Sequence, residues 1–350
     1  MLSDNNYLRQ KISFHKITVF WRLIFLALAW LILISIVHYY LNRDGRINGR
    51  VLQMGYMPVI SNLACPLLDY AGKKDSEPAF NAVKFFSFAE MGEALRNNHI
   101  QVAFIIAPIA LMLRQQGEDV KVVYVGNRNE STLVVDKKLN VEKFSDLAGK
   151  TVGVPMRYSG HYLSMLELIE RHGLEGQIDV VELNPPDMAS ALVSKALSAY
   201  YVGEPFAAQT VKSGDAKVLF YVEQVWPGFI CNLMMVHQDL IQNEPEVVQK
   251  LVNGAVRSGM WARTNPKKAA AIVSKYWNQP SDLVEYALIC PENRIVYDRY
   301  IPREKELQHM ADLMKRFGIS NSNDINGLVD DRFAKNVSLQ NITDIYSILE

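Results

Sequence analysis

Residues 146–161 read DLAGKTVGVPMRYSGH, and this stretch decides the class of fold. A short apolar strand, Thr151–Val154, is predicted to end at Pro155, because proline has no N–H to donate to a strand ladder. Ser159 and Gly160 then open an amphipathic helix. The first N–H groups of a helix have no internal partner and carry partial positive charge, so this helix start is predicted to bind an anion or a polar group. The alternative is an ordinary strand-to-helix turn, with Ser159 as its cap.

The overall composition excludes some classes of function. The 350 residues include 37 Lys plus Arg and 37 Asp plus Glu, so the formal net charge is zero. Nucleic-acid binders carry a basic face or tail, so no nucleic-acid partner is expected. The three cysteines form no CxxC pair and have no histidine at ligand spacing, so we expect neither a metal site nor a cofactor. A Cys231–Cys290 disulfide stays an open question.

Strands and helices alternate in two successive sets along the chain. The first set covers 51–135 and the second covers 136–225, which is the pattern of parallel α/β units. We therefore expect an α/β protein with two lobes, in which a helix covers 59–70. The chain should return to the first lobe over 226–320, mostly as helices, and end in an extension over 321–350.

The predicted ligand site lies where the strands end. In open α/β sheets, ligands bind at the carboxyl ends of the strands. Here those ends carry glycine, proline, aromatic and small polar residues, which permit close backbone approach, fix the loops and supply pocket walls. The predicted ligand-binding residues are Tyr56, Pro58, Ser87, Phe88, Ala107, Pro108, Arg157, Tyr158, Ser159, Gly160, His161, Glu204 and Trp226.

Several of these residues have a second role that the sequence leaves open. Arg157 is expected either to pair with an anionic ligand or to lie in solvent as a surface charge. Glu204 either binds a cationic part of the ligand or forms a salt bridge that closes the lobes. His161 either contacts the ligand or faces the hinge. Tyr56 and Trp226 are expected as pocket walls, although aromatic residues are equally common in a core.

The chain contains the motifs GYMP at 55–58, FAEMGEAL at 88–95, IQVAFIIAP at 100–108, LAGKTVGVP at 147–155 and YYVGEPF at 200–206. Their order and spacing resemble those of a known family, the periplasmic substrate-binding proteins of nitrate/sulfonate/taurine-type ABC transporters. The resemblance implies the type II periplasmic-binding-protein fold, in which a ligand cleft lies between two lobes that close on the ligand. It implies crossovers near 132–138 and 221–231, and a small, anionic ligand such as nitrate, a sulfonate or bicarbonate, although relatives also take neutral heterocycles. ABC permease and ATPase subunits are the implied partners.

The segment 17–41 is predicted to be an N-terminal transmembrane helix. From residue 23 to residue 37 it contains no charged residue. Its 25 residues would reach about 37 Å as a helix, against about 30 Å for the hydrocarbon core of a bilayer. Residues 1–16 would then lie in the cytoplasm, and residues 42–50 would form a linker. Residues 43–350 would face the periplasm or the outside of the cell, on the outer face of the inner membrane.

A cleaved signal peptide is the alternative to this anchor, but no small-residue cleavage pattern follows the apolar run. The predicted anchor also distinguishes this chain from its relatives, most of which are soluble or lipid-anchored. A ligand-sensing accessory protein without transport is therefore a second hypothesis for the function. An enzyme of thiamine-pyrimidine or menaquinone synthesis on the same fold is a third. It is disfavoured because the sequence has no nucleophile elbow, phosphate loop or HExxH motif.

Overall fold

The computed structural model describes residues 21–22, 24–37, 51–73 and 79–350. The chain divides into two compact units, Met1–Arg50 and Val51–Glu350.

In the first unit, residues 24–37 are helical. Their apolar side chains are exposed; the exposed fraction is 74% for Phe25 and 63% for Trp30. Within the described residues, the helices are too short or too polar to span a bilayer. The predicted anchor extends beyond these residues, since 17–20, 23 and 38–41 lie outside the described part of the chain.

The second unit contains two five-stranded sheets, and the first of them forms lobe 1. Its strands are β1 (Val51–Tyr56), β2 (Ala79–Lys84), β3 (Val102–Ile106), β4 (Val120–Val125) and β10 (Asn232–His237). They lie in the order β2-β1-β3-β10-β4. β1 is parallel to β2 and β3, whereas β10 is antiparallel to both of its neighbours.

The second sheet forms lobe 2 and repeats this arrangement. Its strands are β5 (Ser131–Asp136), β6 (Thr151–Val154), β7 (Asp179–Glu182), β8 (Ala199–Gly203) and β9 (Ala216–Tyr221). They lie in the order β7-β6-β8-β5-β9, and only β5 is antiparallel to its neighbours. The central strands β3, β5 and β8 are buried along their whole length, as expected for sheets covered on both faces.

Each sheet therefore receives one strand by a connection from the other lobe. The two connections cover 126–130 and 222–231. The second agrees with the crossover predicted near 221–231. The first prediction, 132–138, was wrong by several residues, because Thr132 already pairs with Val202 and Tyr221 inside the second sheet.

Helices cover the sheets and complete both lobes. Their limits are α1 (Ala64–Gly72), α2 (Phe88–Arg96), α3 (Ala107–Gln115), α4 (Gly160–His172), α5 (Pro185–Val193), α6 (Phe206–Ser213), α7 (Gln238–Asn243), α8 (Pro245–Thr264), α9 (Pro266–Trp277), α10 (Ser281–Ile289), α11 (Glu304–Arg316) and α12 (Arg332–Lys335). The helix predicted over 59–70 begins later than expected. A short 3-10 turn, Ile60–Asn62, precedes α1, and Pro66 lies in the first turn of α1, where its missing N–H breaks no helical hydrogen bond.

The C-terminal extension, 321–350, is an integral part of lobe 1. Val329 forms a parallel bridge with Val122 at the edge strand β4. Arg257 of α8 donates to the carbonyl oxygens of Ser338 at 3.0 Å and Ser347 at 2.5 Å, and the side chain of Ile348 is fully buried. The extension therefore covers a sheet edge that would otherwise present unpaired backbone groups.

Candidate functional site

A cavity of about 280 Å³ lies between the two lobes, at the carboxyl ends of their strands. Lobe 1 contributes Met57, Phe86, Ser87 and Phe88 to its wall. Lobe 2 contributes Pro155, Met156, Glu182, Leu183, Asn184 and Pro185. Most of these residues are apolar, and the volume is near the lower end of the range for small-molecule sites. The cavity therefore suits a small solute.

The lobe 1 wall is built around the start of α2. Ser87 caps this helix, because its Oγ accepts a hydrogen bond from the backbone N–H of Glu90 at 3.4 Å. Phe88, the first helical residue, is buried. The amides of a first helical turn carry partial positive charge, so this wall offers a favourable position for the negative end of a ligand. The structure thus places Ser87 and Phe88, both predicted from the sequence, in the inter-lobe cavity.

The lobe 2 wall has the opposite electrostatic character. Glu182, the last residue of β7, has Oε2 at 2.9 Å from the backbone N–H of Arg157, which donates to it. Pro185 begins α5 and has no N–H to offer. Among the residues that line the cavity, Glu182 is the only charged one. Sequence reasoning missed Glu182, although its position at the end of a strand was a usable signal.

The start of α4, which the sequence singled out, is covered by protein. Ser159 caps the helix: its Oγ donates to the carbonyl oxygen of Met156 at 2.6 Å and accepts from the N–H of Tyr162 at 3.1 Å. The ring of Phe229 lies so close to Gly160 that a Cβ added there would be 2.7 Å from two ring carbons. The structure therefore shows Ser159 as a helix cap. Neither Ser159 nor Gly160 lines the cavity. The ring that covers this helix start belongs to Phe229, which lies 69 positions after Gly160 in the sequence.

His161 lies at the hinge, beneath this covered helix start. Its Nε2 is 2.9 Å from Ser131 Oγ, and its ring packs edge-on against Tyr201 with 5.1 Å between the centroids. Burial lowers the pKa of His161 to about 3, so the ring is neutral. Of the two predicted roles for His161, this geometry is that of a hinge residue.

Glu204 is held by several partners at the junction between the lobes. Its Oε1 accepts from Thr132 Oγ1 at 2.7 Å, and its Oε2 accepts from the N–H of Ala208 at 2.7 Å. Arg294, from the segment that returns to lobe 1, places Nη1 at 3.5 Å from Oε1. Burial raises the pKa of Glu204, and the nearby Arg294 opposes that effect. Its carboxylate is therefore satisfied by the protein.

Glu130, in the first connection, is a buried acid that sequence reasoning missed. Its Oε2 accepts from the backbone N–H of Glu204 at 2.9 Å. Burial raises the pKa of Glu130 to about 7. The signal available in the sequence was a run of polar residues, 127–131, that follows one buried strand and enters another.

The other predicted site residues lie away from the cavity wall. Tyr56 points into the core of lobe 1, where its hydroxyl donates to the carbonyl oxygen of Tyr276 at 3.2 Å, because alternate residues of β1 face opposite sides of the sheet. Trp226 packs against Phe229, with 5.4 Å between the ring centroids. The remaining residues are buried Pro58, Ala107 and Pro108, partly exposed Tyr158 and exposed Arg157.

A larger cavity lies outside the inter-lobe region. It has a volume of about 730 Å³ and is lined by residues of lobe 1 only, which include Arg263, Leu288, Cys290 and Asp298. The described part of the chain contains no group of three or more metal-binding side chains. Cys231 and Cys290 are both free thiols, so the disulfide that the sequence left open is not formed here.

Comparisons with known proteins agree with this architecture. A model of the NMT1-like family matches residues 49–276, which is more than half of the chain. The taurine-binding periplasmic protein of Escherichia coli (strain K12) is 30% identical over 199 residues, which cover 55% of this chain and 60% of that protein. The chain thus spans less than two thirds of the length of that relative.

Solved structures show the same fold at lower identity. The ligand-binding component of an ABC-type import system from Staphylococcus aureus, solved with zinc bound, superposes with a TM-score of 0.74 at 22% identity over 83% of this chain and 99% of that one. The periplasmic nitrate-binding protein from Synechocystis PCC 6803 gives a TM-score of 0.74 at 14% identity over 82% and 88%. The predicted two-lobe periplasmic-binding fold, and the resemblance on which it rested, are confirmed.

Proposed function

The chain belongs to the NMT1-like family, and from this premise we propose that it is a solute-binding protein of an ABC import system for sulfonate-, nitrate- or taurine-like solutes. The observation that carries the proposal is the cavity between the lobes, which both sheets line with the ends of their strands. The name of the taurine-binding relative supports this solute class. Its role is to bind a ligand without turnover, and permease and ATPase subunits are the proposed partners.

The contacts between the two lobes support a mechanism in which the lobes close on the ligand. Val59, in the loop after β1, belongs to the same buried apolar cluster as Val134, Met188 and Phe206 of lobe 2. The next residue, Ile60, donates its N–H to the carbonyl oxygen of Glu204. A ligand that contacts both cavity walls would favour a form with the lobes closed over an open form, because only the closed form offers it both walls.

We propose further that the N-terminal segment anchors the protein, with residues 43–350 on the outer face of the inner membrane. The support is the helix 24–37, whose apolar residues are exposed on all sides, as in a helix that meets lipid. Mass spectrometry of the native protein tests the anchor. A mature N-terminus near residue 40 would contradict it.

The binding function is tested by a thermal-shift screen of the purified full-length protein in detergent. Taurine, ethanesulfonate, nitrate and bicarbonate are the probes, and glucose is the control solute. A specific ligand at 100 times its Kd stabilises the folded state by about 2.7 kcal/mol. Stabilisation by one of these anionic or zwitterionic probes without its consumption is the expected result. A screen in which none of them stabilises the protein would overturn the proposed function.

A further inference from the structure

We propose that Glu182 selects ligands that carry a positive group together with an acidic one, so that amino-sulfonate zwitterions bind in preference to plain anions. This inference rests on the proposed function and names the solute class for the same cavity. It replaces a simple anion, which the sequence alone suggested, with a ligand that has two opposite charges.

The charge of the cavity wall is the first support for this selectivity. Ten residues line the cavity, and its one charged side chain is a carboxylate. The wall contains no lysine or arginine that would offset a fully anionic ligand. A plain anion therefore meets a like charge, whereas a ligand with an ammonium group meets an opposite one.

The way in which the protein holds the carboxylate of Glu182 is the second support. Its Oε2 accepts the backbone N–H of Arg157, which fixes the orientation of the group. In the part of the chain that the structure describes, Oε1 accepts no hydrogen bond. This oxygen is therefore available to a donor on the ligand. The guanidinium of Arg157 forms no ion pair with Glu182 among the described residues, so the negative charge is not compensated by the protein.

The complementarity of the two walls is the third support. The start of α2, with Ser87 and Phe88, faces the same cavity from lobe 1 and offers amide N–H groups for a sulfonate. Met57 and Leu183 supply apolar surface for the short hydrocarbon spacer between the two charges. The cavity thus has a positive end on lobe 1 and a negative end on lobe 2, so a zwitterion would join the two lobes.

The test compares three sulfonates that differ in one group, measured by calorimetric titration of the full-length protein in detergent. The probes are taurine (2-aminoethanesulfonate), 2-hydroxyethanesulfonate and ethanesulfonate. We expect the wild type to bind the amino compound at least about tenfold more tightly than the other two, as one charge-assisted hydrogen bond would provide. Glu182→Gln should reduce this preference to less than about threefold while leaving the affinity for ethanesulfonate equal or higher. Glu182→Lys should reverse the order.

The matched control is Asp179→Asn at the other end of the same strand. Three residues of extended strand place it about 10 Å from Glu182, and it does not line the cavity. This variant should keep the wild-type preference.

Equal affinity of the wild type for the three sulfonates would overturn the inference and leave the proposed function standing. A Glu182→Gln variant that retains the full preference for the amino compound would also overturn it. If none of the four probes of the thermal-shift screen stabilises the protein, the proposed function fails, and the inference fails with it.

Discussion

The backbone N–H of Ile60 donates a hydrogen bond to the carbonyl oxygen of Glu204 at 2.8 Å. This bond joins the loop after β1, in lobe 1, to the end of β8, in lobe 2. The preceding residue, Val59, is only 3% exposed and lies in the core of lobe 2. One hydrogen bond and one buried apolar side chain therefore tie the loop after β1 to lobe 2.

Val59→Ser should shift the protein toward an open form. Loss of a buried valine side chain removes about 1.5 to 3 kcal/mol of apolar burial, which corresponds to a tenfold or greater change in a closure equilibrium. Small-angle scattering should show a larger radius of gyration without ligand, and ligand affinity should fall. Val193→Ser is the control, because Val193 is 53% exposed on the surface of lobe 2. An unchanged radius and affinity for Val59→Ser would contradict this role.

Arg128 should be the most sensitive residue of the hinge. It is 1% exposed, and its backbone pairs with both Ile230 and Val296, so three segments run side by side between the lobes. Its guanidinium donates to the carbonyl oxygen of Gly228 at 2.8 Å and to Glu306 at 3.0 Å. Arg128→Met removes the donor to the carbonyl oxygen of Gly228 and leaves Glu306 with only the more distant Arg299. It should destabilise the fold by about 3 to 5 kcal/mol in urea unfolding.

The control for this prediction is Arg299→Met. Arg299 also reaches Glu306, at 3.5 Å, but its side chain is 48% exposed, so its loss should cost at most about 1 kcal/mol. Equal effects of the Arg128 and Arg299 variants would refute the assignment of Arg128 as the buried tie of the hinge.

Glu130 should make stability depend on pH near neutrality. Burial raises its pKa to about 7 in the folded protein from an ordinary value of 4.5. Between pH 4.5 and 7 the folded state therefore holds a proton on Glu130 that the unfolded state has released. The contribution of Glu130 to the free energy of unfolding is fully present below pH 4.5 and is lost as the pH rises through 7. Glu130→Gln should remove this component, which is on the order of 1.4 kcal/mol for each pH unit that separates the folded and unfolded pKa values.

Chemical denaturation at pH 5, 6, 7 and 8 measures this effect. The stability of the wild type should fall relative to Glu130→Gln across that series, whereas the exposed Glu175→Gln should follow the wild type. A constant difference between wild type and Glu130→Gln over the whole range would rule out the titration of Glu130 as the cause.

Arg257 should hold the C-terminal extension on lobe 1. Its guanidinium donates to the carbonyl oxygens of Ser338, Gln340 and Ser347. Arg257→Met should leave these acceptors unsatisfied and make 336–350 accessible to a protease at concentrations that spare the wild type. The surface variant Arg171→Met should resist the protease as the wild type does. Resistance of Arg257→Met equal to that of the wild type would show that packing of Ile348 alone holds the extension.

The parts of the fold that sequence predicted well are those fixed by local signals. Pro155 ends β6 as expected, and Ser159 and Gly160 open α4 as expected. Each of these signals acts within a few residues of the chain, so it can be recognised without knowledge of the tertiary structure.

The parts of the site that sequence missed depend on distant contacts. Phe229 covers the start of α4, and no pattern around Gly160 announces this. Tyr56 faces the core because of the pleat of β1 against helix α9, and Glu130 is buried because three segments meet around it. Such contacts join residues far apart in the chain, and motif spacing carries no information on them.

The central claim is that a small solute binds between the lobes. Hydrogen–deuterium exchange of the full-length protein, with and without a saturating solute that stabilises it in the thermal-shift screen, tests this claim directly. Amides near Phe88 in lobe 1 and near Met156 and Leu183 in lobe 2 should become protected together, because these residues line one cavity. Protection confined to a single lobe, or centred on the separate cavity around Arg263 and Cys290, would contradict the claim.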